Sequence, residues 1–399
     1  MARILVPVGD DLPRQADLVI IGGGIIGCAS AFYASRAGMS AVVLERRDSL
    51  GALTTAASEE CFRAQFDEPE NVRMMLDSIA VFEEFAEFVG LKDWDIHLRQ
   101  QGYLFMTAGD PQAVRARVER QRGIGLTDVE YLDGDQVRYR FPVIGPAVTA
   151  ASWRAKDGWL SAHELTYGFA KGSSSLFALR TEATDIRTDG HGVAAVVTSR
   201  GQIATRRIII AAGPYAGIVA GWLGVKLPLV NLRRQKAVLG RVPQVPRDAP
   251  MTIDNDTGAF WRPEVEGAAL GWALPEEPTP PSEAVPTDWT FPATVLEGIT
   301  HLTPFWNEVA ESLTRDNVFL SAGQYTCSPD NKPIIGPFAG IPGVFFNLGY
   351  AGHGIMASPG GSRLAIELVL HPEQNQQNPF RLERFETETT TVCREGMVI

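Results

Sequence analysis

The fold follows from residues 18–45, LVIIGGGIIGCASAFYASRAGMSAVVLE. Residues 18–21 are apolar at every position, as a strand that is covered on both faces requires. The small and apolar residues from 25 to 37 predict a helix that Gly38 ends, and residues 39–44 predict a second strand. Residues 18–35 carry no charge and are as long as a membrane span, but glycines interrupt them. We therefore predict a strand–helix–strand unit rather than a membrane segment.

The turn before the helix has the spacing G-x-G-x-x-G at Gly22, Gly24 and Gly27. Glycines at these positions permit a tight turn, let backbone amides approach a pyrophosphate, and let helix and strand pack closely. Glu45 ends the second strand, where a carboxylate binds a ribose hydroxyl and disfavours the 2′-phosphate of NADP. The alternative is an ordinary glycine-rich turn. We expect a dinucleotide to contact Gly22, Gly24, Ile25, Ile26, Gly27, Glu45 and Arg46.

Length and composition limit the possible functions. A chain of 399 residues predicts two domains. Its 36 basic and 47 acidic residues give a formal net charge of −11, which argues against nucleic acid or an anionic membrane surface as the main partner. The four cysteines form no CxxC pair, so we predict no metal site and reduced thiols in the cytoplasm. No targeting segment is predicted.

The rest of the chain mixes helices with short strands. Helical periodicity covers residues 71–89, 110–122, 293–302 and 362–370. Strands are predicted at 103–107, 193–198, 202–212, 237–241, 258–262, 268–273 and 344–347. The short strands with turn residues between them indicate an antiparallel sheet. Residues 275–286 contain five prolines and predict a loop. A second glycine-rich segment, 347–354, follows the last strand and offers backbone donors to an extended cofactor.

Four segments together resemble the D-amino-acid oxidase superfamily of flavoenzymes, on its sarcosine oxidase, glycine oxidase and proline dehydrogenase β-subunit side. They are residues 22–45, CFRAQF at 61–66, IAAGPY at 210–215, and 328–359 with PIIG and GHG. The resemblance implies an α/β (α+β) fold, with a Rossmann-type FAD-binding domain and an interleaved antiparallel-sheet substrate domain. We expect the FAD domain at 1–85, 150–225 and 315–385, the substrate domain at 86–149 and 226–314, and a tail at 386–399.

The resemblance also implies the cofactor and its contacts. FAD would lie with its pyrophosphate on the first glycines, its ribose at Glu45 and its adenine end closed by Gly213. On the flavin side, the family's pattern implies contacts with Thr54, Thr55, Ser58, Gly352, His353, Gly354, Ile355 and Met356. Backbone amides there would stabilise negative charge on the pyrimidine ring. His353 has two interpretations, a residue that packs beside the cofactor or a general base.

Candidate substrate-binding residues follow from the same resemblance. Arg63 lies where sarcosine-oxidase-like enzymes hold the substrate carboxylate in two parallel hydrogen bonds; the alternative is a surface ion pair with Asp67 or Glu68. Arg262 is a second candidate, or a structural residue. Tyr325 stands where sarcosine-type enzymes have a tyrosine near the flavin, which favours a secondary amine over glycine or a D-amino acid.

Three positions depart from the family's pattern. The cysteine that links flavin covalently in monomeric sarcosine oxidases aligns with Gly323, and Cys327 is displaced from it. The lysine that assists oxygen aligns with Ala269, and a second carboxylate-binding cation aligns with Met356. These departures put covalent attachment and oxygen use in question.

The predicted function is FAD-dependent oxidation of sarcosine or a related N-alkyl amino acid to an imine. Water then hydrolyses the imine, and O2 is the expected acceptor, giving H2O2. The alternatives are a glycine or D-amino-acid oxidase, a proline-type dehydrogenase that uses an electron carrier, an NAD-linked dehydrogenase, and a nucleotide-binding module without activity. The chain is expected to be a monomer or a homo-oligomer.

Overall fold

The computed structural model describes residues 2–385. The expected tail at 386–399 lies outside the described residues. The strands are β1 Arg3–Leu5, β2 Leu18–Ile21, β3 Ala41–Leu44, β4 Cys61–Phe62, β5 Tyr103–Thr107, β6 Glu130–Asp133, β7 Ala150–Arg154, β8 Gly158–Trp159, β9 Leu176–Ala178, β10 Ala183–Asp189, β11 Gly192–Thr198, β12 Gly201–Ala204, β13 Ile208–Ile210, β14 Val230–Leu239, β15 Met251–Asp254, β16 Ala259–Glu264, β17 Gly267–Trp272, β18 Val318–Cys327, β19 Ile334–Pro337 and β20 Val344–Leu348. The helices are α1 Ile25–Arg36, α2 Pro69–Glu83, α3 Phe85–Val89, α4 Pro111–Gly123, α5 Gly134–Arg140, α6 Ala162–Gly172, α7 Ala216–Gly221, α8 Phe291–Thr300, α9 Trp306–Ser312 and α10 Gly354–Leu370.

The first sheet has the strand order β1-β9-β3-β2-β13-β20-β19 and is parallel except at β19. Its central strands β2, β3 and β13 are buried at every residue, because both faces are covered. Helices α1, α6 and α10 pack on one face. The three-stranded sheet β10-β11-β12 and α7 cover the other. The predicted strand–helix–strand unit forms the middle of this sheet, and within residues 2–385 no helix is long and apolar enough to cross a bilayer.

The second sheet has the order β18-β14-β17-β16-β15-β5-β7-β6 and is antiparallel except where β15 pairs with β5. One face packs on α8 and α9 through residues such as Ala237, Trp261 and Leu270. Side chains alternate along a strand, so the neighbours Lys236, Phe260 and Gly271 lie on the opposite face, toward the first sheet. The predicted α/β (α+β) fold with a second, largely antiparallel sheet is confirmed.

Several predicted elements differ from the structure. The helix at 71–89 is divided at Glu84 into α2 and α3. The strand at 202–212 is two strands, because β12 belongs to the small sheet and β13 to the parallel one. The strand expected at 237–241 begins at Val230. Its first half is missed because the polar run Arg-Arg-Gln-Lys at 233–236 hides the apolar alternation. Strand β18, which pairs with it along its whole length, has no prediction.

Helix α10 begins eight residues before its predicted start, at Gly354 instead of residue 362. Pro359 lies inside it and cannot donate to the carbonyl of Ile355. The Ser358 hydroxyl donates to that carbonyl instead, at 2.9 Å. The helix therefore continues through Pro359, although a proline at this position predicts that the helix has not yet begun. Its N-terminus lies on the side of the first sheet that faces the second sheet.

The domain boundaries stay a prediction, but the structure shows to which sheet two of the strands belong. Ala150–Arg154 and Val318–Cys327 belong to the second sheet, although the expected boundaries assign them to the FAD-binding segments. Sheet membership is set by pairing partners far along the chain, and these are not visible in local periodicity.

A buried ion pair connects the second sheet to the segment that precedes α2. The Arg154 guanidinium lies 2.6 Å from Asp157, whose side chain is fully buried, and 2.7 Å from Asp128, whose side chain is 42% exposed. Asp157 also accepts hydrogen bonds from Ala64 N and from the Gln65 side chain. This carboxylate therefore holds strand β7 and residues 64–65 together.

We expect Asp157→Ala to lower the free energy of unfolding by about 3 kcal/mol, because it leaves buried polar groups without a partner. The matched change Asp128→Ala removes the exposed partner of the same arginine and is expected to cost less than about 1 kcal/mol. Urea denaturation of both variants measures the difference. Equal losses would contradict the role given to Asp157.

Candidate active site

A cleft of about 380 Å³ lies between the two sheets. At one end it is lined by the glycine loop, Glu45 and Gly213, and at the other end by Tyr325 and Trp272. Residues from both sheets and from the loop at 51–59 form its walls. An extended ligand can therefore reach from the parallel sheet to the antiparallel one within a single cavity.

The glycine loop can pack closely on the neighbouring backbone only because Gly22 and Gly27 have no side chains. A Cβ atom on Gly22, where φ is +116°, would lie 2.4 Å from the carbonyl oxygen of Ala211. A Cβ atom on Gly27 would lie 1.9 Å from the carbonyl oxygen of Gly22. Gly24, Ile25 and the following Ile26 line the cleft at the N-terminus of α1. The loop thus presents backbone amides and a positive helix end, which is what a pyrophosphate requires.

Glu45 lies where the sequence predicts it, at the end of β3 and in the cleft wall. Its carboxylate accepts hydrogen bonds from Gly23 N at 2.9 Å and from Arg47 N at 2.8 Å. These bonds hold the carboxylate at the mouth of the glycine loop, in position for a ribose hydroxyl. Thr55, another predicted contact, accepts a hydrogen bond from Ile25 N at 3.2 Å.

A proline-rich loop, confirmed at residues 275–286, connects the two ends of the cleft. Glu283 pairs with the Arg46 guanidinium at 2.7 Å, and Arg46 lies 3.9 Å above the ring of Tyr215. Ser282 N donates to the Gln324 side chain at 2.9 Å. Arg46 and Tyr215, beside Gly213, form a flat surface that suits an adenine ring.

The second glycine-rich segment forms the opposite end of the cleft. Gly352, Gly354 and Ile355 line it, at the N-terminus of the 17-residue helix α10. A Cβ atom on Gly352, where φ is +90°, would lie 2.3 Å from the Tyr325 ring. Burial raises the pKa of the Tyr325 phenol, so it stays protonated and can donate a hydrogen bond. Thr54 and Ser58 also line the cleft, and their contact with the flavin stays a prediction.

Neither predicted substrate-binding arginine lines the cleft wall. Arg63 is 2% exposed, donates to the Gln65 carbonyl and stacks 3.9 Å from the Phe66 ring. Arg262 is 1% exposed and pairs with Glu264. The alternative of a solvated surface ion pair does not describe Arg63, which is buried. Its contact with a substrate stays a prediction.

His353 and Met356 are both 7% exposed, and neither is part of the cleft lining. The His353 ring packs edge to face on Phe66 with centroids 4.9 Å apart. Burial, with the Arg63 guanidinium beside it, lowers the pKa of His353 to about 3. A neutral imidazole of such low basicity fits the packing interpretation better than that of a general base.

The structure shows where the residues that depart from the family's pattern lie; Met356 is described above. Gly323 lines the cleft beside Ala57, and a side chain there would meet the Ala57 Cβ at 2.8 Å. Cys327, at the end of β18, is not part of the lining. Ala269 lies on β17 opposite Val238 of β14.

Several residues of the cleft wall have no sequence prediction. Glu59, Arg234, Lys236, Phe260 and Trp272 all line it. One signal was available: Arg234 and Lys236 are two residues apart, so a strand through them places both on one face. The strand is not predicted there, so neither is the pair.

The residues that line the cleft have the chemistry that an FAD molecule requires. The glycine cradle, the held carboxylate of Glu45, the Arg46–Tyr215 surface and the α10 N-terminus face one cavity. When bound, FAD supplies two-electron redox chemistry. The fold and the cleft together define a dinucleotide-binding oxidoreductase with a separate sheet over the reactive end.

Comparison with known proteins gives the family. The family model described as DAO, FAD dependent oxidoreductase, matches residues 17–368. The chain is similar to FAD-dependent oxidoreductase domain-containing protein 1 of Xenopus laevis, at 28% identity over 91% of this chain and 81% of that protein. It is also similar to mitochondrial dimethylglycine dehydrogenase of Homo sapiens, at 25% identity over 96% of this chain but only 46% of that protein. Among solved structures, L-proline dehydrogenase from P. horikoshii has a TM-score of 0.81 at 25% identity, covering 94% of this chain and 99% of that one.

The chain belongs to the DAO family of FAD-dependent oxidoreductases. The predicted resemblance, the FAD cofactor and the enzyme class are thereby confirmed.

We expect Gly352→Ala to destabilise the protein by about 2 kcal/mol or more, because the added Cβ clashes with Tyr325 at positive φ. The control Gly354→Ala adds the same atom where the nearest group, Tyr350 Cβ, is 3.8 Å away. Thermal unfolding of the two variants without cofactor measures the difference. A stable Gly352→Ala variant would contradict the packing of this turn on Tyr325.

Because His353 is buried, we expect the free energy of unfolding to decrease at acid pH. Because its folded pKa of about 3 is below the ordinary value of 6.5, the unfolded state binds the proton first. Above pH 6.5 His353 is neutral in both the folded and the unfolded state, and the free energy of unfolding has its full value. As the pH falls below 6.5, the free energy of unfolding decreases, by about 2 kcal/mol at pH 5. We expect His353→Asn to lose less stability than the wild type between pH 7 and pH 5 in urea denaturation. Equal losses would show that His353 titrates normally.

Proposed function

We propose that the chain oxidises the carbon–nitrogen bond of an N-methyl or cyclic secondary amino acid to an imine, which water then hydrolyses. The observation that carries the proposal is the contact of Tyr325 with the Gly352 turn at the end of the cleft. It places a protonated phenol at the reactive end of an FAD site, where family members of the sarcosine type have a tyrosine.

The shape of this end supports a small substrate. Phe260 and Trp272 give it apolar walls, while Tyr325 and Lys236 supply polar groups. Apolar walls with a few polar groups suit a small molecule that has one charged end and alkyl groups at the other. The names of two relatives, dimethylglycine dehydrogenase and L-proline dehydrogenase, support N-alkylated amino acids as the class.

The chain's own residues would bind and orient the substrate and exclude water. Orientation of a bound reactant can contribute several kcal/mol of barrier lowering, roughly 7–11 in the best cases. The Tyr325 hydroxyl would donate a hydrogen bond to the substrate, and the amides at the start of α10 would face negative charge on the cofactor. The contact of Arg63 with a substrate carboxylate stays a prediction and is not part of this proposal, because Arg63 does not line the cleft.

The electron acceptor is a separate question. O2 with release of H2O2 stays the first prediction, and an electron carrier is the second candidate. Two relatives named as dehydrogenases favour the carrier. Ala269, where the resemblance places an oxygen-assisting lysine, favours it as well. Cytoplasmic localisation also stays a prediction.

The test is the rate of flavin bleaching in the purified protein without oxygen. We expect sarcosine, N,N-dimethylglycine or L-proline to reduce the flavin at least about tenfold faster than glycine, which lacks the N-alkyl group that the apolar walls contact. D-alanine is a second control. Faster bleaching by glycine or D-alanine would overturn the substrate class. Peroxide formation on readmitting air then separates O2 from a carrier as acceptor.

A further inference from the structure

The cleft contains a lysine that the family resemblance does not assign. Lys236 lies on β14, which pairs with β18 on one side and β17 on the other, so its backbone is held from both sides. Its ammonium group lines the cleft and donates to the carbonyl of Ser58. An ammonium has three N–H donors, and this bond uses one of them. Two donors therefore remain for a ligand in the cleft.

A carboxylate lies beside this lysine along the same wall. Glu59 follows Ser58 directly and also lines the cleft. Its Oε2 atom is buried and has no hydrogen-bond partner within residues 2–385. A buried acceptor without a donor costs about 1–3 kcal/mol or more if charged, so such an atom in a ligand cleft points to a donor on the ligand. Burial raises the pKa of Glu59, and the nearby charges of Lys236 and Arg262 oppose this shift.

Two arginines lie near Lys236 and Glu59. Arg262 pairs with Glu264 and donates to the Glu59 backbone carbonyl at 3.2 Å, and it is not part of the cleft lining. Arg234 lines the cleft; its Nη1 atom donates to the carbonyls of Arg233 and Leu274 at 2.8 and 3.2 Å, and its Nε atom is buried without a hydrogen-bond partner among the described residues. Lys236 is the cation of the cleft wall that also interacts electrostatically with Glu59.

We propose that Lys236 and Glu59 together bind the head group of the substrate, with Lys236 taking the carboxylate and Glu59 accepting a hydrogen bond from the amine. The proposal rests on the proposed function of the same cleft. The bond of Lys236 to Ser58 and its electrostatic interaction with Glu59 place the two groups in the same part of the cleft wall. A cation beside a hydrogen-bond acceptor suits an amino acid rather than an amine without a carboxylate.

The test for Lys236 uses methoxyacetate, in which an ether oxygen replaces the N–H of sarcosine, so that it has the carboxylate but cannot be oxidised in the same way. Its affinity for the FAD-loaded protein is measured by calorimetry. We expect Lys236→Gln to weaken binding about tenfold or more, because a charged hydrogen bond is lost, and Lys236→Arg to retain most of it. Lys226→Gln removes the same charge from an exposed lysine outside the cleft and serves as the control. Equal affinities in the Lys236→Gln and Lys226→Gln variants would overturn the assignment.

The test for Glu59 compares two ligands. Glu59→Leu, which removes both acceptor oxygens, is expected to weaken sarcosine binding about tenfold, measured from the concentration dependence of flavin reduction, and to leave methoxyacetate binding unchanged, because methoxyacetate has no N–H to donate. Equal weakening of both ligands would overturn this half of the proposal. The flavin content of every variant is measured first, so that loss of cofactor is not taken for loss of substrate binding.

The two proposals fail in different ways. If the wild type binds methoxyacetate through Lys236 but sarcosine does not bleach the flavin, the oxidation is wrong and the head-group site stands. If sarcosine bleaches the flavin equally well with and without Lys236, the oxidation stands and the head-group site is wrong.

Discussion

The structure depends on one close approach of backbone to backbone. A Cβ atom on Gly27 would lie 1.9 Å from the carbonyl oxygen of Gly22, so α1 can begin this close to β2 only because residue 27 has no side chain. The approach fixes where the positive end of α1 lies and therefore where a pyrophosphate can bind. Glu45 reinforces it by accepting a hydrogen bond from Gly23 N in the same loop. The remainder of the cleft extends from this point toward the second sheet.

The reactive end is built from parts that are far apart in the chain. Glu59 comes from a loop after the first unit, Lys236 from β14, Tyr325 from β18 and Gly352 from the turn before α10. The ten-residue pairing of β14 with β18 brings two of these elements together. The proline-rich loop joins the second sheet to Arg46 at the adenine end through Glu283. One continuous wall thus connects the adenine end of the cleft to the second sheet.

The sequence predicts what is local and periodic. The glycine spacing, the buried strands beside it and Glu45 are visible because a close turn and a covered strand each demand particular residue types at fixed intervals. The place of Lys236 is not visible, since charged residues on both faces of β14 conceal its alternation and its partners lie in distant strands. The start of α10 is also hidden, because Pro359 predicts a break that the Ser358 hydroxyl compensates. Arg63 and Arg262 have the right chemistry, but their buried partners could be found only in three dimensions.

The most direct measurement is the position of the flavin in a crystal structure of the purified protein. The adenosine ribose should lie within hydrogen-bond distance of Glu45, roughly 2.6–3.2 Å, and the ring system should contact Tyr325 and the turn at 352–354. A ring bound outside the cleft, or a cleft closed by side chains with no flavin in it, would contradict the account.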